Sequence, residues 1–303
     1  MCSSGLKTIN FQIMTKDNKQ QKLSDSTEPA IAYSTCYVQC GLELNRIYNE
    51  SNLDTMKRMP DNFVDLTVTS PPYDGLRTYN GYSFPFEEIA QELYRVTKQG
   101  GVVVWVVGDA TINGSETGTS FKQALYFKEI GFNIHDTMIY SKSKPPINGN
   151  RYQDFFEYMF VFSKGKPNVF NPIKEKSVSA GGINTKGHRG KDGEMERKVR
   201  VTQEYKTKEN IWFYHSGNGE TCDLIAEQHP ARFPEKLVAD HIYSWSNEGD
   251  IIYDCFGGSG TTAKMAHLMK RNWILSEISS EYCQIAEKRI APYLHKLHCF
   301  DVW

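Results

Sequence analysis

The chain has 303 residues, of which 39% are hydrophobic and 23% charged, and its formal net charge is −1. This composition is typical of a soluble globular protein with a substantial core, and it excludes disordered and fibrous classes. The seven cysteines form no paired metal-binding spacing, and their odd number suits reduced thiols in the cytoplasm. We expect no membrane association, because no apolar run approaches the roughly 18 residues of a membrane span.

Helical and buried-strand patterns alternate along most of the chain, which predicts an α/β fold with a parallel sheet. Residues 1–31 lack periodicity and are predicted to form a flexible arm. The predicted helices span 53–58, 86–98, 121–130, 263–270 and 281–291, and the predicted strands span 64–68, 102–107, 132–140, 251–255 and 273–276.

Residues 165–228 interrupt this alternation. Between Lys174 and Lys208 there are ten Lys or Arg against five Asp or Glu, and five glycines lie among them. We predict an irregular insertion here rather than a layer of the sheet. The predicted organisation is therefore an arm (1–31), a first half-domain (32–164), the insertion (165–228) and a second half-domain (229–303).

A glycine-rich loop, DCFGGSGTTA at 254–263, joins a predicted strand to a predicted helix, and Glu277 ends the next strand. Glycines allow a ligand to approach the backbone, and a carboxylate about 20 residues further on can bind ribose hydroxyls. The pattern favours a nucleoside-containing cofactor over a turn without a ligand. Gly258, Gly260 and Ala263 also fit the GxGxxA spacing of nicotinamide enzymes, whereas the lysine of a phosphate-binding loop is absent.

The stretch Ser70-Pro71-Pro72-Tyr73 directly follows the predicted strand 64–68. Both prolines fix the backbone, so the four residues should project as a stiff, extended segment from the carboxyl end of the strand. The Ser70 hydroxyl and the Pro71 carbonyl can accept two hydrogen bonds from the exocyclic amine of a base, and Tyr73 can stack on it. The alternative is a strand-ending turn with a core tyrosine.

In this order, the two motifs resemble the permuted, beta-group DNA amino-methyltransferases of bacterial or phage restriction-modification systems. Members of that family carry a [DNS]PP[YFW] motif, then a target-recognition region, then FxGxG, which here is Phe256-Gly257-Gly258-Ser259-Gly260. Residues 228–237 and 151–167 are similar to further family segments. The resemblance covers about residues 40–291 and implies a circularly permuted, Rossmann-like class I methyltransferase sheet with an added antiparallel strand and an inserted target-recognition region.

The resemblance also implies S-adenosylmethionine as cofactor and double-stranded DNA as substrate, with no metal. Asn52 is the expected substitute for the Asp that many relatives place near the cofactor adenine. The other implied cofactor-binding residues are Asp254, Phe256, Gly258, Gly260, Thr261 and Glu277, with His229, Pro230, Phe233 and Lys236 in a segment that folds back. In the family, SPPY tends to accompany methylation of cytosine at N4, and DPPY or NPPY that of adenine at N6.

The basic insertion is the expected source of phosphate contacts. The residues predicted to contact DNA are Arg77, Lys186, Arg189, Lys191, Arg197 and Lys198. A solvated loop is the alternative for this charge run. A nicotinamide oxidoreductase, a catalytically silent DNA-binding protein, and an RNA or protein methyltransferase remain competing hypotheses. The sequence leaves open the recognition site, a restriction-endonuclease partner, and the choice between monomer and homodimer.

Overall fold

The computed structural model describes residues 41–72, 84–143, 150–189, 194–215 and 233–294. In these ranges the helices are α1 (Asn52–Arg58), α2 (Phe86–Val96), α3 (Thr119–Glu129), α4 (Glu235–Trp245), α5 (Thr261–Leu268) and α6 (Ser280–Leu294). The strands are β1 (Arg46–Tyr48), β2 (Val64–Thr69), β3 (Thr97–Val107), β4 (Thr111–Ile112), β5 (Ser115–Glu116), β6 (Asn133–Lys142), β7 (Phe156–Ser163), β8 (Lys174–Lys176), β9 (Ile183–Arg189), β10 (Met195–Val201), β11 (Tyr205–Thr207), β12 (Ile211–Tyr214), β13 (Ile251–Asp254) and β14 (Asn272–Ser276).

One eight-stranded sheet organises the chain, in the order β1-β14-β13-β2-β3-β7-β6-β12. Strand β7 is antiparallel to both of its neighbours. All other neighbouring strands are parallel. The predicted α/β class with an added antiparallel strand is therefore confirmed. Strands β2 and β13 are adjacent although a large part of the chain separates them, which brings the SPP segment beside the glycine-rich loop.

Two hydrophobic clusters cover the two faces of the sheet. The first includes Val103 and Trp105 of β3 together with side chains of α1, α2 and α3. The second includes Val102 and Val104 of β3 together with side chains of α4 and α5, and Ile290 of α6. Because successive residues of a strand point to opposite faces, the continuous apolar run of β3 serves both clusters. None of the helices in the described ranges is long and apolar enough to cross a membrane.

The prediction that residues 165–228 form no layer of the sheet was wrong for Ile211–Tyr214. These residues form β12, which pairs in parallel with β6 at the edge of the main sheet. Trp212 and Tyr214 are buried, whereas Ile211 and Phe213 are 62% and 53% exposed. This alternation of buried and exposed side chains is typical of an edge strand that is covered on one face. Four residues are too few for the pattern to be recognised in a sequence segment that is otherwise basic.

Four other strands of the described insertion form two antiparallel pairs. Strand β8 pairs with β11, with Lys174 opposite Thr207. Strand β9 pairs with β10 in a two-stranded sheet of its own, with Ile183 opposite Val201 and Arg189 opposite Met195. Residues 174–207 therefore leave the body of the protein and return to it through a two-stranded stem.

Candidate active site

The candidate site lies at the carboxyl edge of the parallel strands, where α/β sheets bind ligands. Ser70 follows the last residue of β2, and it is partly exposed, whereas Pro71 is buried. The glycine-rich loop follows β13, and Glu277 follows β14. The sheet therefore brings together three segments that the sequence analysis assigned to one site.

Glu277 contacts the loop directly. Its Oε2 accepts a hydrogen bond from the backbone N–H of Gly258 at 2.8 Å, and its Oε1 accepts one from the N–H of Ser279 at 2.8 Å. Burial raises the pKa of the Glu277 carboxyl, and the Ser279 and Gly258 amides oppose that rise. A carboxylate fixed in this way keeps further lone pairs with which it can accept hydrogen bonds from ribose hydroxyls.

The loop is packed too closely for side chains. A Cβ atom on Gly257 would lie 2.0 Å from Leu275 Cδ2 of β14. Gly260 has φ of +77°, and a Cβ there would lie 2.8 Å from Ala286 Cβ of α6. A side chain at either position would collide with a neighbouring residue, which explains why both positions are glycine.

Asp254 ends β13 and is only 3% exposed. Its Oδ1 accepts hydrogen bonds from Thr69 Oγ1 at 2.7 Å and from the Phe256 N–H at 3.1 Å. Its Oδ2 accepts one from Thr262 Oγ1 at 2.7 Å. Burial raises the pKa of Asp254, and these three donors oppose the rise. Both carboxylate oxygens are therefore hydrogen-bonded within the protein, and Asp254 connects the end of β2 to the glycine-rich loop and to the start of α5.

A buried ionic cluster supports the loop from behind. Arg289 of α6 donates to Ser259 O at 3.1 Å and to Thr261 Oγ1 at 2.8 Å, and it forms an ion pair with Glu235. Lys264 Nζ lies 2.8 Å from the same Glu235 carboxylate. The sequence analysis missed this cluster. The available signal was a charged residue on the apolar face of the last helix, where Ile285, Ala286 and Ile290 are also buried.

The other predicted cofactor residues lie near the loop to different degrees. Asn52 donates from Nδ2 to the Cys255 carbonyl at 3.0 Å, which places it against the loop. The Phe256 ring packs on Phe84, with centroids 5.6 Å apart. Phe233 precedes α4 and is partly buried against the second cluster. Lys236 points outward, and its Nζ forms an ion pair with Asp240 at 2.9 Å.

Several predicted residues lie outside the described residues, namely Tyr73, Arg77, Lys191, His229 and Pro230. The predicted arm, 1–31, lies outside them as well. Of the remaining candidates for DNA contact, Lys186 and Arg189 belong to β9, and Arg197 and Lys198 belong to β10. For these four residues the description covers the backbone alone.

Residues 64–288 match the model of a family described as DNA methylase. The chain is 60% identical over 242 residues to the orphan methyltransferase M.BamHII of Bacillus amyloliquefaciens, over 77% of this chain and 91% of that protein. The structure of the cytosine-N4-specific PvuII DNA methyltransferase matches with a TM-score of 0.59 at 21% identity, over 82% of this chain and 90% of that one. The M1.HpyAVI–SAM complex matches with a TM-score of 0.56 at 23% identity, over 81% of this chain and 98% of that one. At these identities the solved structures establish the fold, a class I methyltransferase sheet.

Proposed function

This chain belongs to the DNA methylase family, and we propose that it methylates N4 of a flipped cytosine in double-stranded DNA. The family transfers a methyl group from S-adenosylmethionine to the exocyclic amino group of a base. The choice of cytosine is supported by Ser70, since SPPY is the form of the motif that tends to accompany cytosine. Adenine N6 is the second candidate within the same chemistry.

One observation carries this proposal. The Ser70-Pro71-Pro72 segment and the glycine-rich loop follow adjacent parallel strands, β2 and β13. A buried hydrogen bond of 2.7 Å joins the two strand ends, between Thr69 and Asp254. An acceptor base held by the first segment and a methyl donor held by the second would therefore lie side by side. No such role for the SPP segment follows from a nicotinamide oxidoreductase.

The residues at the loop fit the cofactor. S-Adenosylmethionine supplies an electrophilic methyl group on its sulfonium. We assign the ribose to Glu277, whose carboxylate is held against Gly258 at 2.8 Å. We assign the methionine portion to the loop backbone around Gly258, which is partly exposed. Asn52, Phe256 and Phe233 are proposed to line the cofactor pocket, and His229, Pro230 and Lys236 are proposed to complete it from the fold-back segment.

The amine of a base is a poor nucleophile, because its lone pair is delocalised into the ring. The two N–H groups of the amine would donate hydrogen bonds to Ser70 Oγ and to the Pro71 carbonyl. These two bonds would draw the nitrogen toward tetrahedral geometry. Orientation of this kind contributes several kcal/mol to a reaction. Tyr73 is proposed to stack on the flipped base, which compensates in part for the stacking that the base gives up when it leaves the duplex.

DNA is proposed to bind the hairpin of β9 and β10. Residues 183–201 carry six Lys or Arg against three Asp or Glu. A two-stranded ribbon has dimensions that the major groove accepts. The proposed phosphate contacts are Lys186, Arg189, Arg197 and Lys198 in the two strands and Lys191 between them in the sequence, and Arg77 is proposed to contact the flipped nucleotide.

Transfer of labelled methyl from S-adenosylmethionine to varied duplex DNA, followed by nuclease digestion and mass spectrometry, tests this proposal. We expect N4-methylcytosine, and a rate lower by about 10- to 100-fold in Ser70→Ala because one of two acceptors is removed. Ser163→Ala is the matched control. It removes a buried hydroxyl that donates to Gly165 O at 2.7 Å. Ser163 is the last residue of β7, which is antiparallel to β3, so it lies at the end of the sheet opposite the candidate site.

Each other outcome has a defined meaning. N6-Methyladenine would keep the mechanism and overturn the choice of cytosine. Equal rates for Ser70→Ala and wild type would remove Ser70 from the mechanism. Methylation of RNA in preference to every duplex would overturn the substrate.

A further inference from the structure

Thr69 occupies the position between the sheet and the proposed catalytic segment. It is the last residue of β2, it directly precedes Ser70, and it is fully buried. Its hydroxyl donates to Asp254 Oδ1 at 2.7 Å, across to the end of β13. The Cys255 thiol lies 3.7 Å from the same hydroxyl oxygen. The side chain of Thr69 therefore connects the ends of β2 and β13, just before the backbone continues from each strand into the site.

Asp254 extends this connection into the cofactor loop. Besides Thr69, it binds the Phe256 amide at 3.1 Å and the Thr262 hydroxyl at 2.7 Å. Phe256 begins the loop, and Thr262 lies in the first turn of α5. A buried carboxylate is stable only with such donors, and it holds them at hydrogen-bonding distance. Thr69 is thus tied through one carboxylate to both ends of the glycine-rich loop.

We propose that Thr69 is a positioning residue for methyl transfer, and that its bond to Asp254 fixes the distance between Ser70 and the glycine-rich loop. The inference rests on the proposed function, in which these two segments hold the acceptor and the donor. In-line transfer demands close alignment, and a displacement of about 1 Å can reduce a rate by about 100-fold. Thr69 acts on the position of the base-binding segment relative to the cofactor-binding loop. Binding of the cofactor alone does not depend on that relative position.

The same strand supplies a matched control. Thr67 lies two residues earlier on the same face of β2, and it is also fully buried. Its hydroxyl has no hydrogen-bond partner in the described part of the chain. Replacement of Thr67 by Val therefore removes a buried hydroxyl from the same strand and leaves the bond to Asp254 in place.

The experiment compares Thr69→Val, Thr69→Ser and Thr67→Val in the full chain. The measurements are the single-turnover rate of methyl transfer to duplex DNA, the Kd for S-adenosylmethionine and the thermal midpoint. We expect Thr69→Val to lower the rate by about 10- to 100-fold while the Kd changes less than about threefold. Thr69→Ser keeps the hydroxyl and restores most of the rate, and Thr67→Val has the rate of the wild type.

A wild-type rate in Thr69→Val would overturn the inference. A loss of cofactor affinity that matches the loss of rate would overturn it as well, since the bond would then serve the loop alone. If Thr69→Val does not fold, Thr69→Ala tests the same bond, because it removes the hydroxyl and leaves the bonds from Phe256 and Thr262 to Asp254 in place; an unchanged rate there counts against the inference. The Ser70→Ala variant separates the two proposals. A wild-type rate of methyl transfer in this variant refutes the catalytic role of Ser70, whereas the effect of Thr69→Val on the rate can still be interpreted.

Discussion

His241 is a titratable residue held in a setting that favours its neutral form. It is fully buried in α4, with Nε2 3.3 Å from Met159 Sδ and its ring 4.8 Å from that of Trp212. Burial, and to a smaller extent the charge of Lys208, lowers the pKa of His241 from 6.5 to about 3. The unfolded chain therefore binds a proton below pH 6.5 that the folded chain does not bind.

Because the folded chain does not bind this proton, we predict that the free energy of unfolding decreases as the pH falls below 6.5. Stability from His241 is fully present above pH 6.5 and is lost as the pH falls toward 3. The loss should approach about 1.4 kcal/mol in the free energy of unfolding for each pH unit within that window. Urea unfolding of wild type and His241→Leu between pH 7.5 and 5 measures it. The variant should show the shallower dependence, and parallel curves would contradict the assignment.

Residues of the site differ in how far the sequence reveals them. Ser70 and Glu277 were predicted because each belongs to a short pattern whose chemistry depends on neighbours along the chain. Thr69 and Arg289 were not, because their roles depend on partners that are distant in sequence, Asp254 and Glu235. Asp254 was predicted as a cofactor contact, which stays a prediction; the hydrogen bonds described for its carboxylate come from Thr69, Phe256 and Thr262. Its burial depends on the packing of β2 against β13, which no local pattern contains.

At the scale of elements, α6 supports the glycine-rich loop through the side chain of Arg289, in addition to its close packing against Gly260. The Arg289 guanidinium is 1% exposed and connects the loop to the first residue of α4, Glu235. Removal of one partner from a buried ion pair typically costs about 3–5 kcal/mol. Because Lys264 still pairs with Glu235 when Arg289 is replaced, we expect the lower end of that range. The position of the loop should therefore depend on α6 as much as on its own glycines.

We predict that Arg289→Met weakens S-adenosylmethionine binding by about tenfold and lowers the free energy of unfolding by about 3 kcal/mol. Calorimetric titration and urea unfolding provide the two values. Arg271→Met is the matched control, since Arg271 donates to Ser246 O at 2.8 Å near the start of β14, away from the site. It should lose stability and keep its affinity. An Arg289→Met protein with unchanged affinity would show that the loop holds its shape without α6.

For the whole molecule, the hairpin of β9 and β10 should be separable from the body. Thr202 donates its N–H to Gly182 O at 2.9 Å, directly below the hairpin. An Asn-Gly turn in place of residues 183–201 can close the strands at this pair. We predict that this variant keeps its thermal midpoint and its Kd for S-adenosylmethionine, because the body and the loop are untouched.

The same variant should bind duplex DNA more weakly and with a smaller dependence on salt. The logarithmic slope should decrease by about 0.9 for each phosphate that the shortened protein no longer neutralises. Anisotropy titrations at several salt concentrations measure this slope. Lys57→Gln with Lys270→Gln is the control for removal of positive charge elsewhere, since both side chains are 68% exposed on the body. An unchanged slope in the truncated protein would contradict the proposed role of the hairpin.

Much of the topology was predictable, because buried strands and amphipathic helices leave clear patterns in the sequence. The elements of the main fold that were not predicted are the helix α4 and the strands β1, β7 and β12, and the place of β12 in the sheet follows from pairing with β6 rather than from its own four residues. The hairpin was likewise hidden, since its glycines and charges are typical of an irregular segment. Short strands that are covered on one face or on none carry little of the signal on which sequence interpretation depends.

The two-stranded stem has a consequence for how such proteins diversify. Lys174 and Thr207 are directly opposed, so the segment between them begins and ends at neighbouring backbone positions, about 5 Å apart. A segment with such closely spaced ends can be exchanged for one of different length and sequence without strain on the scaffold. On the proposed role of the insertion in target recognition, recombination at this stem would change the DNA target in one step, while the residues at the carboxyl ends of the parallel strands are inherited unchanged.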